Sequence, residues 1–84
     1  MNSVKFSDYR PYMGILIDVR ERVEFNQKHH AGSINIPYND LIFNHKKYLD
    51  KNKVYFLICS GGVKSKRAAN ILRVYGYNVK SVIN

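Results

Sequence analysis

The sequence predicts an α/β domain in which a mostly parallel sheet is covered on both faces. Strand-like and helix-like segments alternate along its 84 residues, as they do in strand–helix–strand units. Two of the strand-like segments, Ile15–Val19 and Val54–Ile58, are almost continuously apolar. Parallel strands that are buried on both faces have this composition, so both segments are predicted to lie inside the sheet.

The residues before Ile15 give only a weak prediction of secondary structure, whereas the pattern after Val19 predicts a helix. Residues 4–6 are consistent with a short edge strand, and Pro11 and Gly14 break regular structure after it. Residues 21–28 are predicted to form a short helix, because acidic residues occupy its early turns and Lys28 lies near its end. This distribution of charge suits the helix dipole.

A turn, a short strand and a second helix are predicted next. The turn covers residues 29–33 and the strand covers residues 34–36. Asn39 or Asp40 is predicted to cap a helix that runs to about Leu49. The residues of this helix that face the core are predicted to be Leu41, Ile42, Tyr48 and Leu49.

The last helix and the last strand follow the apolar run at 54–58. Residues 65–75 are predicted to be helical, and Gly76 stands where glycine commonly ends a helix. Residues 78–83 are predicted to be the final strand. The inner stripe of the helix is predicted to be Ala68, Ala69, Ile71, Leu72 and Tyr75.

Cys59, the only cysteine, stands directly after the predicted strand Val54–Ile58, and a loop with two glycines and a lysine follows it. Glycines let successive N–H groups point inward, and the start of the next helix adds partial positive charge, so this loop predicts an anion cradle. A thiol held there is expected to be acidic, exposed and nucleophilic. The alternative is a small buried hydrophobic residue. It is disfavoured because a packing cysteine needs neither the glycines nor the cation.

Four segments resemble the motifs of rhodanese-like domains, in the same order. The loop sequence CSGGVKS is similar to the family's active-site pattern C-x-x-G-x-[RK]-S. The resemblance extends from about Ile15 to Asn84. The matching segments are Leu16–Arg20 with Glu24 and Phe25, His29–Pro37, Cys59–Ser65, and Ala68–Ala69 with Gly76–Tyr77.

The resemblance implies a single rhodanese-like domain over residues 1–84, with a sheet of four or five strands. It also implies an abbreviated N-terminus and the absence of the family's closing C-terminal helix. A sheet that lacks this helix is expected to show an apolar patch or edge, which would favour a homodimer or a partner protein.

The implied activity is transfer of a sulfane sulfur from thiosulfate or a persulfide donor to a thiol or to cyanide, through a persulfide on Cys59. Lys64 would meet the sulfite end of the donor, and Asp18 and Arg20 would support the rim of the site. Glu24 stands near the position at which members that use thiosulfate carry a cation, which implies weaker binding of thiosulfate. The loop N–H groups that would stabilise the negative charge belong to Ser60, Gly61, Gly62, Val63, Lys64 and Ser65.

Two other functions compete with sulfur transfer. A cysteine-based phosphatase would need an arginine six residues after the cysteine, where this chain has Ser65, and Arg67 falls on the helix. A binding or regulatory module with little turnover agrees with Glu24 and with the shortened ends. The retention of Cys59 together with Lys64 favours the sulfurtransferase.

Composition limits the compartment and the partners. A single cysteine excludes an internal disulfide, the N-terminus resembles no signal sequence, and no apolar run approaches the about 20 residues of a membrane span. We therefore expect a cytoplasmic protein that needs no cofactor or metal, since the adjacent His29 and His30 are poorly placed to chelate one ion.

The net charge of +8 predicts solubility and attraction of a small sulfur-containing anion or an acceptor protein. Nucleic acid is disfavoured, because no pattern of interleaved aromatic and basic residues occurs.

Overall fold

A computed structural model describes residues 2–84, and in it five parallel strands form one sheet in the order β1-β5-β4-β2-β3. The strands are β1 Ser3–Lys5, β2 Ile15–Asp18, β3 Ile34–Asn35, β4 Val54–Ile58 and β5 Asn78–Ile83. The helices are α1 Arg22–Gln27, α2 Tyr38–Phe43, α3 His45–Tyr48 and α4 Val63–Val74, and 3₁₀ turns lie at Phe6–Asp8 and Pro11–Met13. The predicted α/β class, with a parallel sheet and helical segments on both faces, is confirmed.

One face of the sheet carries the larger part of the core, which is packed under α2, α3 and α4. Alternate residues of β2 and β4 point to this face, because side chains in a strand alternate between its two sides. Leu41 of α2 and Leu72 of α4 are fully buried there. The other buried members are Ile17, Val19, Ile36, Leu49, Tyr55, Leu57, Cys59, Ala68, Ala69, Tyr77 and Val79.

The opposite face of the sheet is buried as well, although no long helix covers it. Phe56, Ile58 and Val82 point to this side and are almost fully buried. The two 3₁₀ turns supply the cover, with the side chains of Phe6, Tyr9 and Met13 packed against this cluster. Among residues 2–84, this face therefore shows no exposed apolar patch, because residues 6–13 fold back over it, and self-association through an edge of the sheet stays a prediction.

The helix predicted to run to Leu49 is divided in two at Asn44. The backbone of Asn44 leaves the helical region, with φ −125° and ψ 32°, and its side-chain amide donates to Asp40 at 2.8 Å. The N-cap is Pro37 rather than Asn39 or Asp40, since the N–H of Tyr38 finds its partner in the carbonyl of Val19 at 3.0 Å. Of the predicted core residues, Leu41 and Leu49 are buried, and Ile42 and Tyr48 are partly buried against them.

The helix after the cysteine loop begins at Val63, two residues earlier than predicted. Gly62 precedes it with φ 82°, a left-handed conformation that glycine adopts without steric penalty. The helix ends at Val74, one residue before the predicted end, and the predicted stop Gly76 follows the cap residue Tyr75 with φ 97°. The N–H of Tyr77 donates to the carbonyl of Leu72 at 3.1 Å. The predicted inner position of Tyr75 is wrong: its side chain is 52% exposed, and Tyr77 occupies the buried position after the turn.

The topology fixes where a site can form. The connection from β2 leads outward to β3, and the connection from β4 leads in the opposite direction to β5. In open parallel sheets, the crevice beyond the carboxyl ends of two such strands is where ligands bind. Asp18 of β2 and Ile58 of β4 pair in register at these ends. Cys59, the residue directly after Ile58, therefore lies at the crevice.

None of the helices within residues 2–84 combines the length and the apolar character that a membrane span requires.

Candidate active site

Cys59 lies at the carboxyl end of β4 and belongs both to the core and to the crevice. Its side chain packs within the larger core cluster, yet it also lines two neighbouring crevices at the surface. Only 7% of the residue is exposed, so the expectation of an exposed thiol is wrong. The reason is that the loop after Cys59 curls back, and Ser65 at the start of α4 closes over the sulfur.

Ser65 makes two hydrogen bonds with the sulfur of Cys59. The backbone N–H of Ser65 donates to Sγ at 3.3 Å, and Sγ–H donates to the Ser65 hydroxyl at the same distance. That hydroxyl donates in turn to the carbonyl of Gly62 at 3.2 Å. When the thiol ionises, the hydroxyl can turn and donate to the sulfur instead.

These contacts oppose the effect of burial on the thiol. Burial raises the pKa of Cys59, but hydrogen bonding lowers it by more than burial raises it. The hydrogen bonds come from the side chain and the N–H of Ser65 and from the N–H groups of Gly62 and Lys64. The net pKa of Cys59 is therefore below its ordinary value. Three of the six predicted loop residues thus favour the thiolate, which is the nucleophilic form of cysteine.

Alkylation should report this acidity. We expect the rate of iodoacetamide modification of Cys59 to rise with pH through an inflection below about 8.5, the value of a free cysteine. The variant Ser65→Ala should move the inflection upward, because it removes the side-chain donor and leaves the backbone donor in place. An inflection at or above 8.5 in the wild type would contradict the lowered pKa.

Asp18 and Arg20 form a clamp at the end of β2, next to the cysteine loop. The Asp18 carboxylate is 2% exposed and accepts from the Arg20 N–H at 2.9 Å, from its Nε at 3.0 and 3.1 Å, and from its Nη2 at 2.8 Å. The same Nη2 donates to the carbonyl of Lys28 at 2.6 Å, which ties the end of β2 to the end of α1. The hydrogen bonds that Arg20 donates to Asp18 raise the pKa of Arg20, so the guanidinium stays charged. This arrangement agrees with the supporting role expected of both residues.

One of the two crevices beside Cys59, the histidine crevice, has a volume of about 190 Å³. It is lined by Asp18, Arg20, Lys28, His29, His30, Ile58, Cys59, Ser60 and Asn84. Nδ1 of His29 lies 2.7 Å from the carbonyl of Phe25 in α1. His30 stacks on Phe6 with ring centroids 4.0 Å apart. Within residues 2–84, no three His, Cys, Asp or Glu side chains gather as a metal site would require.

The second crevice, the lysine crevice, has a volume of about 230 Å³ and shares Arg20, Cys59 and Ser60 with the first. It is lined by Arg20, Glu24, Cys59, Ser60, Gly61, Val63 and Lys64. Arg20 and Lys64 give it two cations, and the carboxylate of Glu24 offsets part of that charge. The structure thus brings Lys64 and Glu24, which were singled out separately in the sequence, to one opening.

Two asparagines that sequence reasoning did not assign to the site contribute to it. The side-chain amide of Asn84 donates to the carbonyl of Cys59 at 3.0 Å and lines the histidine crevice. The side-chain amide of Asn35 donates to the carbonyls of Asp18 and Arg20 at 3.0 and 2.9 Å. Asn35 lay within a matched motif and could have been noted, whereas nothing in the sequence marked Asn84.

Comparisons with known proteins agree with this geometry. The family model described as Rhodanese-like domain matches residues 5–84. A crystal structure of a rhodanese-related protein from Thermoplasma volcanium superposes with a TM-score of 0.85, at 32% identity, over 100% of this chain and 85% of that one.

Two curated relatives are longer than this chain. The uncharacterized protein YqhL of Bacillus subtilis is 42% identical over 69 residues, which are 77% of this chain and 54% of that protein. A tRNA sulfurtransferase of Thermoplasma acidophilum is 33% identical over 66 residues, which are 79% of this chain and 13% of that enzyme. The chain thus spans about half of one relative and a small part of the other. Fold, loop and family model agree, and the chain belongs to the rhodanese-like domain family.

Proposed function

We propose that this chain is a sulfurtransferase that carries a sulfane sulfur as a persulfide on Cys59. The observation that carries the proposal is the placement of the Cys59 sulfur 3.3 Å from both the N–H and the hydroxyl of Ser65, at the mouth of two crevices. The family, and a relative named as a sulfurtransferase, support the same reaction class. A reaction that needs a free thiol suits the reducing cytoplasm.

The first half of the reaction loads the sulfur. The Cys59 thiolate attacks the outer sulfur of thiosulfate, the sulfur–sulfur bond of the donor breaks, and sulfite leaves with the electron pair. A persulfide donor reacts in the same way and releases its thiolate. Negative charge on Cys59 before the attack, and on the persulfide after it, is stabilised by the inward donors of the loop.

The second half returns the enzyme to its starting state. A thiolate or cyanide attacks the outer sulfur of the Cys59 persulfide, and the bond between the two sulfur atoms breaks. The electron pair stays on Sγ, so the thiolate is restored and neither an oxidant nor a reductant is needed. No side chain has to act as a general base once the thiol is ionised, and the lowered pKa of Cys59 favours that form.

The charge of the lysine crevice bears on the choice of donor. Lys64 would meet the sulfite end of thiosulfate, while Glu24 at the same opening repels this dianion. We therefore propose that thiosulfate binds weakly and that an uncharged or less charged persulfide is the better donor.

Two substitutions separate these effects. Lys64→Ala should raise the apparent KM for thiosulfate about tenfold, because it removes a charge-assisted contact of about 1–3 kcal/mol. Glu24→Gln should lower that KM several-fold, with little change for a neutral persulfide donor. Steady-state kinetics with both donors measures this. Equal KM values for thiosulfate in the wild type and both variants would show that this crevice does not receive the donor.

Intact-mass analysis tests the proposal itself. After brief treatment with thiosulfate or a small-molecule persulfide, the protein should gain the mass of one sulfur atom, and dithiothreitol should remove it. If neither donor adds sulfur, the sulfurtransferase proposal is wrong. The loop would then be better explained as the anion-binding or docking surface of a module without turnover.

A further inference from the structure

The outward face of α4 carries side chains at helical spacing that the proposed reaction does not use. We call Val63, Lys66, Arg67, Asn70 and Ile71 the outer stripe, since residues three and four apart lie on one face of a helix. The opposite positions Ser65, Ala68, Ala69 and Leu72 are buried against the sheet. The outer stripe therefore faces solvent, and Val63 is 63% exposed. Ile71 is partly exposed, so its predicted place on the inner stripe is wrong.

The outer stripe forms one wall of a groove of about 590 Å³. Gly61, Gly62 and Ile83 complete its lining, and Ile83 is 50% exposed. Val63, Ile71 and Ile83 make the groove apolar, and Lys66 and Arg67 give it positive charge. No acidic and no aromatic residue lines it. Across residues 2–84, the only ion pair is that of Arg20 with Asp18, so neither cation of the groove is neutralised within the chain.

The groove adjoins the reactive sulfur. Gly61 and Val63 line the groove and also the lysine crevice, in which Cys59 lies. A chain segment seated in the groove therefore has one end at the opening that leads to Cys59.

We propose that the groove docks the sulfur acceptor, and that this acceptor is a protein segment with acidic and apolar residues next to its thiol. This inference rests on the proposed function. Carboxylates complement Lys66 and Arg67, and apolar side chains complement Val63, Ile71 and Ile83. A protein fits the groove better than RNA does, because the groove offers no aromatic ring on which a base could stack.

Docking places the acceptor thiolate for the transfer. Water first protonates the persulfide anion that the loading step leaves on Cys59. The acceptor sulfur then attacks the outer sulfur of this persulfide, the bond between its two sulfur atoms breaks, and the electron pair remains on Sγ. The proton stays on the transferred sulfur, so the products are an acceptor persulfide and the Cys59 thiolate. The groove adds orientation and local concentration to a reaction that a small thiol performs without it.

The experiment compares two synthetic acceptor peptides, Cys-Gly-Leu-Glu-Leu-Glu-Glu and its counterpart with lysine at each glutamate. The persulfide form of the protein is mixed with each peptide, and loss of the sulfur is followed by mass spectrometry. We expect the acidic peptide to react about tenfold faster at low salt, with the difference shrinking as salt is added. Lys66→Glu with Arg67→Glu should abolish or reverse this preference and leave transfer to dithiothreitol unchanged. The matched control is Lys46→Glu with Lys53→Glu, which reverses two exposed charges outside the groove and should keep the preference.

A binding measurement keeps the test independent of the chemistry. Fluorescence anisotropy with labelled peptides that carry serine in place of cysteine should show the same preference for acid and the same loss in Lys66→Glu with Arg67→Glu. Equal transfer and equal binding of the two peptides would overturn the proposal. So would binding of unfractionated tRNA that depends on Lys66 and Arg67 when neither peptide binds. Failure of the wild type to form any persulfide would defeat the proposed function and the acceptor role, while the serine peptides would still decide whether the groove docks acidic segments.

Discussion

Cys59→Ser should abolish sulfur transfer and leave the fold unchanged. A serine hydroxyl at neutral pH is a poor nucleophile, and it cannot form a persulfide, so turnover should fall at least about a thousandfold. The chain has no other cysteine that could take over. Activity with a thiol acceptor and the intact mass after donor treatment would both report the loss.

The same variant should remain folded because the site suits a hydroxyl. The N–H and the hydroxyl of Ser65 can hydrogen-bond an oxygen as they do the sulfur, so we expect the free energy of unfolding to change by no more than about 1 kcal/mol. Chemical denaturation of both proteins provides the control. A folded Cys59→Ser protein with appreciable turnover would show that the thiol is not the sulfur carrier.

Asp18→Ala should weaken both stability and activity. The substitution removes the buried acceptor of the Arg20 backbone N–H and of its guanidinium. Removing one partner of a buried ion pair typically destabilises a protein by about 3 kcal/mol or more. Because the Arg20 side chain keeps 20% of its surface exposed, we expect a loss of about 3 kcal/mol in the free energy of unfolding. Activity should fall as well, since Arg20 lines both crevices beside Cys59.

A double-mutant cycle tests whether the clamp explains this loss. Asp18→Ala combined with Arg20→Ala should be less destabilising than the sum of the two single substitutions, because neither charge is then left without its partner. Glu21→Gln, which alters an exposed carboxylate nearby, should change the free energy of unfolding by less than about 0.5 kcal/mol. A similar small change for Asp18→Ala would contradict the structural role of the clamp.

The strands were predictable from the sequence because each is a local pattern. Val54–Ile58 is an uninterrupted apolar run, and such a run inside an α/β pattern has few alternatives to a buried parallel strand. The end of α4 just before Gly76 was predictable for the same reason, since glycine is a local signal for the end of a helix. The break at Asn44 was not, because the residues around it continue a helical pattern and the backbone departs from it only in the folded chain.

The part of the site formed by a local sequence motif was predictable, and the part formed by residues distant in sequence was not. The loop from Cys59 to Ser65 was found because its spacing is local. The burial of Cys59 and the contact of Asn84 with its carbonyl depend on how the chain folds back, which no local pattern records. The cover over the second sheet face was missed for the same reason: Phe6 and Tyr9 are unremarkable in sequence and become partly buried only when they pack against the cluster that contains Phe56.

The pairing of β1 with β5 has a consequence for the order in which the chain folds during synthesis. Residues 3–5 pair with residues 81–83, so this edge of the sheet closes a loop that contains almost the whole chain. Closure of so long a loop is entropically unfavourable until other contacts have formed, and it requires that residues 81–83 have left the ribosome. The larger core cluster contains no residue beyond Val79 and can be assembled earlier. The second cluster includes Val82, and the carbonyl of Cys59 accepts a hydrogen bond from Asn84. A nascent chain should therefore form the larger core cluster before its active site is complete.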